Sequence, residues 1–288
     1  MEITAKMVKD LREQCGAGMM DCKKALEEAG GDLDKAVDVL RTKGLADLAK
    51  KAGRATNEGV IAAYVSDDAK TGVLVEVNCE TDFVARNGEF QSFVNDLAAH
   101  IAKNAPADVD ALKAQTFTGR EHTVEQVLGE MVSKLGENMG ITRFARREAG
   151  ENGAIGSYIH GGGRIGVLVE GADMGDSGTA LLRDIAMQVA AASPAFARRE
   201  EVPADVSDHE MSIYKAQAAE SGKPEPIQEK IAQGRLDKYF KEVCLVEQPF
   251  VKDPDVTVAK HVERTVGKDA KIVGFTRFVL GETGAAAE

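Results

Sequence analysis

The sequence repeats itself, and that repetition limits the possible folds more than any other feature. Gly59, Ile61, Tyr64, Gly72, Val73, Leu74, Val75 and Glu76 recur 94 residues later as Gly153, Ile155, Tyr158, Gly166, Val167, Leu168, Val169 and Glu170. Short apolar runs bounded by turn residues read as strands, so each copy opens with a two-stranded hairpin. A helix follows in both, with Asp96-Leu97-Ala98 and Ile101-Ala102 matching Asp184-Ile185-Ala186 and Val189-Ala190 at an offset of 88. Leu112, Gln115 and Phe117 match Leu245, Gln248 and Phe250 at 133. At 134, Thr123, Val124, Leu128, Val132, Gly140, Thr142, Arg143, Phe144 and Glu148 match Thr257, Val258, Val262, Val266, Gly274, Thr276, Arg277, Phe278 and Glu282. Thr123 with Gln126 reads as a capping box for a helix burying Val124, Val127, Leu128, Met131, Val132 and Leu135. Residues 141–147 and 274–280 read as the third strands. The predicted class is α+β: a duplicated core of antiparallel strands with helices, each copy running strand, strand, helix, helix, strand.

The offsets also locate the differences. The drop from 94 to 88 gives the first copy six extra residues between its second strand and its helix, in the segment holding Thr81-Asp82-Phe83-Val84. The later rise to 133 gives the second copy 45 extra residues. That insertion contains Pro194, Pro203, a helical run with Val206, Met211, Ile213 and Tyr214, a turn at 221–226 and a second helical run from Ile227 to about Phe240. It reads as a protruding helical hairpin over 194–240, a device for contacts between chains. The core halves are then 58–148 on one side, and 149–193 with 241–282 on the other. Additions to a duplicated frame are natural places for function, although surface insertions are also tolerated neutrally.

Ahead of the core, residues 1–45 read as three helices. Thr4 caps the first, which buries Met7, Val8 and Leu11 and stops at Gly16. The second runs from Met19 to Ala29, and Asp32 caps a third with Leu33, Ala36, Val37 and Leu40 on one face, closed by Gly44. So small a unit has little core of its own and is expected to lean on something else. The adjacent Met19 and Met20 cannot both face inward; they read either as an adaptable contact surface or as one core and one exposed residue. A polar linker over 46–57 follows. In the loop leaving the apolar run 72–77, Phe83 beside Asp82 reads either as a ring tucked onto the core or as a contact residue.

Net charge of -11 opposes binding to a phosphate backbone, so no direct nucleic-acid contact is expected. Cys15, Cys22, Cys79 and Cys244 form no Cys-x-x-Cys pair, and a reduced cytoplasmic setting is the default. The N-terminal residues lack a signal-peptide core, and no apolar run reaches the roughly 20 residues of a membrane span. Residues 161–166 satisfy G-x-G-x-x-G but join two strands, so they read as a hairpin turn rather than a nucleotide site. Gly267-Lys268-Asp269 is not a phosphate loop. His100, His122, His160, His209 and His261 show no metal-ligand spacing. Cys79 with His100 could form a thiol and base, but nothing supplies an orienting group or oxyanion hole. The chain is read as a binding factor that makes no bonds and holds no cofactor or metal, with a plain adaptor or a Cys79 thiol enzyme as the rivals.

Three ordered motifs carry a resemblance over nearly the whole chain. They are Leu11-Arg12 with residues 16–26 (GAGMMDCKKAL), residues 76–79 with Thr81-Asp82-Phe83-Val84-Ala85, and residues 156–158 with His160-Gly161 and 164–169. In these the chain resembles the translation elongation factor Ts family. The resemblance implies a guanine nucleotide exchange factor for elongation factor Tu, with a ubiquitin-associated-like domain at 1–45, a two-part core and a helical hairpin. It implies that Phe83 wedges between two helices of the GTPase, with Asp82, Thr81 and Val84 around it, to disturb the partner's magnesium and GDP. Arg12, Met19 and Met20 would grip another helix, His160 would lie at the contact, and the second half would meet the GTPase's third domain. A dimer of heterodimers through the core or hairpin is the further expectation. A short tail, 283–288, would leave out any C-terminal module of longer members, and an extra glycine after His160 departs from the family pattern.

Overall fold

The computed structural model describes residues 3–175 and 178–282; the expected tail and the first two residues lie outside them. Thr4 caps α1 (Ala5–Cys15) by accepting from Met7 N, and Gly16 ends it in the left-handed conformation at φ 68°. After α2 (Met19–Glu28), Asp32 caps α3 (Leu33–Lys51). Val8, Leu11, Cys22, Ala25, Leu26 and Ala36 form the small core of this unit. Two expectations for α3 need correction. Leu33 is exposed, and the helix passes through Gly44 to Lys51, so the start of the expected 46–57 linker is helical. Gly44 does not stop α3 because the residue is buried against another helix, where the absence of a side chain allows close approach.

The first half of the core comprises β1 (Glu58–Val65), β2 (Thr71–Cys79), the single-turn α4 (Asp82–Ala85), α5 (Gly88–Asn104), α6 (Val109–Ala114), α7 (Val124–Leu135) and β3 (Met139–Glu148). The capping box at Thr123 and Gln126 is present. The second half comprises β4 (Ala154–His160), β5 (Ile165–Ala172) and α8 (Gly178–Ala192). After α9 (Ala204–Ala219) and α10 (Glu225–Val243) it resumes with β6 (Pro249–Phe250), β7 (Asp253–Thr257), α11 (Val258–Thr265) and β8 (Lys271–Val279). Two antiparallel three-stranded sheets result, ordered β1-β2-β3 and β4-β5-β8. The turn at 161–164 joins β4 to β5, with Gly161, Gly162 and Gly163 all at positive φ, as a hairpin turn requires.

Strand periodicity sorts the side chains. Val73, Val75 and Val77 face α5 and α7, Val167 and Val169 face the second-half helices, and Ile61, Leu74, Ile155, Leu168 and Phe278 meet between the two sheets. The order is therefore helix, sheet, sheet, helix, with strands buried on both faces, which explains the unbroken apolar runs. The contact between halves is reciprocal. A methyl built on Gly72 would lie 2.6 Å from Ile155 Cγ2, and one on Gly166 would lie 2.5 Å from Ile61 Cγ2. Ile61 N donates to Gly163 O and Ile155 N to Ala69 O, each at 2.8 Å.

One feature of the expected repeat is overturned. Ile141 lies opposite Val77 and Ile272 opposite Gly171, so structurally equivalent positions in the third strands are 131 residues apart, not 134. Phe144 corresponds to Phe275, both packed on the helix side, whereas Phe278 faces the other sheet. The cause lies just before the strand, where α11 has 8 residues and α7 has 12. An odd slip exchanges the faces of a strand, so core burial rather than residue identity fixes the register.

Helices α9 and α10 pack along each other. Their base is held by Arg199, which donates to Glu247 Oε2 at 2.7 Å and Asp237 Oδ1 at 2.9 Å and stacks over Phe240.

Candidate functional site

Residues 80–87 leave β2 at one end of the first sheet. Thr81 caps α4 by accepting from Val84 N, and Asn87 caps α5 by accepting from Glu89 N at 2.8 Å. The loop is braced from outside as well. Glu137 accepts from Thr81 N at 3.0 Å and from Thr81 Oγ1 at 2.5 Å. Glu80 accepts from Asn138 N at 2.6 Å and pairs with Arg54 at 3.1 Å. These contacts hold the Glu80 carboxyl below the usual carboxylate range, the Asn138 amide first and Arg54 after it. Val84 and Ala85 sink into the first-half core.

Between these anchors Phe83 stands 83% exposed. Large aromatics seldom stand free on a surface, and here the backbone on either side of the ring is held, by Glu137 at Thr81 and by the core at Val84 and Ala85. Asp82 beside it pairs with Arg86 at 3.1 Å. Of the four motif residues, Phe83 and Asp82 are presented outward, while Thr81 and Val84 hold them.

Met19 and Met20 open α2 and are 51% and 61% exposed, so neither serves as a core residue. Arg12 is exposed on α1. Lys134 lies between this region and the start of α5, which follows the Phe83 loop: it pairs with Glu89 at 2.7 Å, and its Nζ would lie 2.7 Å from a methyl built on Gly16. His160 is exposed at the end of β4, with Nδ1 3.1 Å from the Tyr158 hydroxyl. The turn after it is tied to the start of β1 by Arg164, which pairs with Glu58 at 3.0 Å. Glu58 lies opposite Cys79, the last residue before the Phe83 loop. Both neighbouring features are thus linked to the end of the sheet that carries Phe83.

The thiol chemistry is not available. Cys79 is buried, and burial first, then the nearby Glu137 carboxylate, push its thiol up to about 12. At neutral pH it holds its proton and is no nucleophile. Both ring nitrogens of buried His100 are engaged, Nδ1 with Thr118 at 2.8 Å and Nε2 with Gln115 at 3.0 Å, and burial lowers its pKa. Among the described residues no group of three or more His, Cys, Asp or Glu could hold a metal, and no helix is long and apolar enough to cross a membrane.

The sequence model of the family described as Elongation factor TS matches residues 80–282, from the Phe83 loop through β8. Elongation factor Ts of Trichlorobacter lovleyi is 49% identical over 292 residues, covering 98% of this chain and 94% of that protein. The chain belongs to the elongation factor Ts family. Elongation factor Ts of Clostridium kluyveri is 50% identical over 286 residues, covering 97% and 93%, and that of Clostridium perfringens is 50% identical over 285 residues with the same coverage. At 97–98% coverage of this chain, the matches to these elongation factor Ts relatives take in α1–α3 as well as the core. Membership makes the chain an elongation factor of protein biosynthesis.

Sequence reasoning missed the braces Arg54, Glu137, Asn138 and Lys134. None carries a local signal, because each acts on a segment far along the chain.

Proposed function

We infer that this chain is a guanine nucleotide exchange factor for elongation factor Tu, acting by insertion of Phe83 into the GTPase. The observation that carries the reading is a phenylalanine ring held in solvent by a loop anchored on either side of it, at Thr81 and at Val84 and Ala85. Burying such a ring against a partner is worth about 1.5–3 kcal/mol. Each ~1.4 kcal/mol directed against GDP weakens it tenfold, so the ring alone accounts for roughly 10–100-fold. The remainder must come from the metal. Magnesium at a phosphate site demands near-ideal octahedral geometry. Parting the helices that carry its ligands by about an ångström is enough to release it, and the phosphates then lose their counter-charge. Coupling is reciprocal: the factor binds best as nucleotide leaves, and GTP then displaces it.

In this reading Phe83 and Asp82 make the contact, with Thr81 and Val84 at its edge. Helices α1–α3 form a ubiquitin-associated-like module whose Arg12, Met19 and Met20 grip a second helix of the GTPase, where flexible Met side chains suit an adaptable surface. His160 lies at the rim, and the second half meets the GTPase's third domain. The pair α9 and α10 is a hairpin arm for contacts between chains, and with the core it offers a route to a dimer of heterodimers. The setting is the cytoplasm, where elongation takes place, and no nucleic acid is bound directly.

The test is stopped-flow release of a fluorescent GDP from elongation factor Tu with substoichiometric chain. Multiple turnovers of accelerated release are expected. A stable complex without acceleration would make the chain an adaptor instead.

A further inference from the structure

We propose that the crossing of α3 over α7 at Gly44 and Gly129 is a positioning device, fixing the Met19-Met20 surface relative to Phe83 so that both meet a partner as one rigid body. Helix α3 is uninterrupted over 19 residues, about 28 Å at 1.5 Å per residue. Its first half belongs to the N-terminal unit, where Ala36 is buried and Val37 and Leu40 pack. Its last turns belong to the core, where Leu48 packs on the first-half cluster. One helix thus serves two cores.

A mid-helix glycine is ordinarily a weak point. Here it makes the contact possible. A methyl built on Gly44 would lie 3.1 Å from Gly129 C, and one on Gly129 would lie 2.9 Å from Gly44 C. Backbone touches backbone in both directions, so neither side can yield as a side chain would. Side-chain ties flank the crossing. Ser133 Oγ donates to Asp47 Oδ2 at 2.9 Å, and Lys51 Nζ to Val132 O at 3.3 Å. Arg41 contacts His122, whose Nδ1 lies 2.7 Å from Glu130 on α7. A flexible polar tether would need none of these contacts and would leave the methionines free to roam. A fixed mount instead presents the second contact at a high effective concentration once the first has formed.

The test is pulsed electron paramagnetic resonance between spin labels on Lys24→Cys and Ser92→Cys, exposed positions on α2 and α5, in a Cys15→Ser background. A single narrow distance is expected for the parent, and a displaced or broadened one for Gly129→Ala. Helix content by circular dichroism should hold, because alanine is the better helix former. A broad parent distribution, or an unmoved narrow one in Gly129→Ala, overturns the proposal. Should Gly129→Ala not fold, Asp47→Ala with Lys51→Ala gives the same readout: broadening supports the device and no change overturns it.

The kinetic consequence rests on the exchange reading above. Gly129→Ala is expected to raise the factor concentration for half-maximal GDP release about tenfold, with the saturating rate within about twofold of the parent. A lower saturating rate at unchanged half-saturation overturns it. A parent that does not accelerate release sinks the exchange reading, while the distance measurement still decides the positioning role.

Discussion

Between β2 and α5 the first half of the core carries a braced loop with an exposed ring, whereas in the second half β5 ends at Ala172, α8 begins at Gly178, and α9 and α10 follow later in the chain. Across the shared face the two halves are nearly interchangeable: Gly72 meets Ile155 as Gly166 meets Ile61. Close packing tolerates little volume change there. Loops at the ends of strands tolerate changes of length and composition at modest cost. The duplicated interface therefore kept its sequence while the outer ends acquired different contacts. The asymmetry reaches one place inside. Arg143, opposite buried Glu76, pairs with it at 2.8 Å and donates to Val279 O in the other half, while its counterpart opposite Glu170 is Gly274, and Glu170 is paired at 3.2 Å by Arg147 of the first half instead.

The sharpest break in the symmetry is expected at Phe83. Phe83→Ala should slow stimulated GDP release about 100-fold, or about 2.7 kcal/mol, within the range of a central contact residue. Because the ring is exposed, its thermal midpoint should move little. An unchanged release rate in stopped flow would retire the wedge.

The symmetry itself is tested at the shared face. Gly72→Ala and Gly166→Ala each overpack an isoleucine methyl and should each cost about 1–3 kcal/mol in urea unfolding. Closely similar losses are expected, and a loss confined to one half would show that the interface is reciprocal in geometry only.

A smaller effect belongs to the brace. Glu137→Ala frees Thr81 and should lower the release rate about tenfold, near 1.4 kcal/mol, without removing the ring. Faster amide hydrogen exchange at 81–85 would accompany it. A full rate with a loosened loop would mean that the ring needs no preorganisation.

The smallest effect is with pH. Glu80 has a carboxyl pKa lowered in the folded chain, so its contribution is present in full above about pH 4.5 and is lost as pH falls through the lowered value. Glu80→Gln should flatten the acid limb of loop protection measured by hydrogen exchange, and an identical limb would place the acid response elsewhere.

The sequence by itself determined what local periodicity can encode. Short unbroken apolar runs gave strands, Thr4, Asp32 and Thr123 gave helix starts, and the recurrence at 94 gave two equivalent sheets, because these signals lie within one turn, one strand or one copy. Tertiary structure decided what distant segments impose on each other. Gly44 is a contact with Gly129 rather than a stop, β8 sits three residues from its expected match, and Phe83 is held outward by Glu137, 54 residues further along. Steric fit, face burial and long-range hydrogen bonding leave no periodic trace, so each needed the neighbour in place before its role could be read.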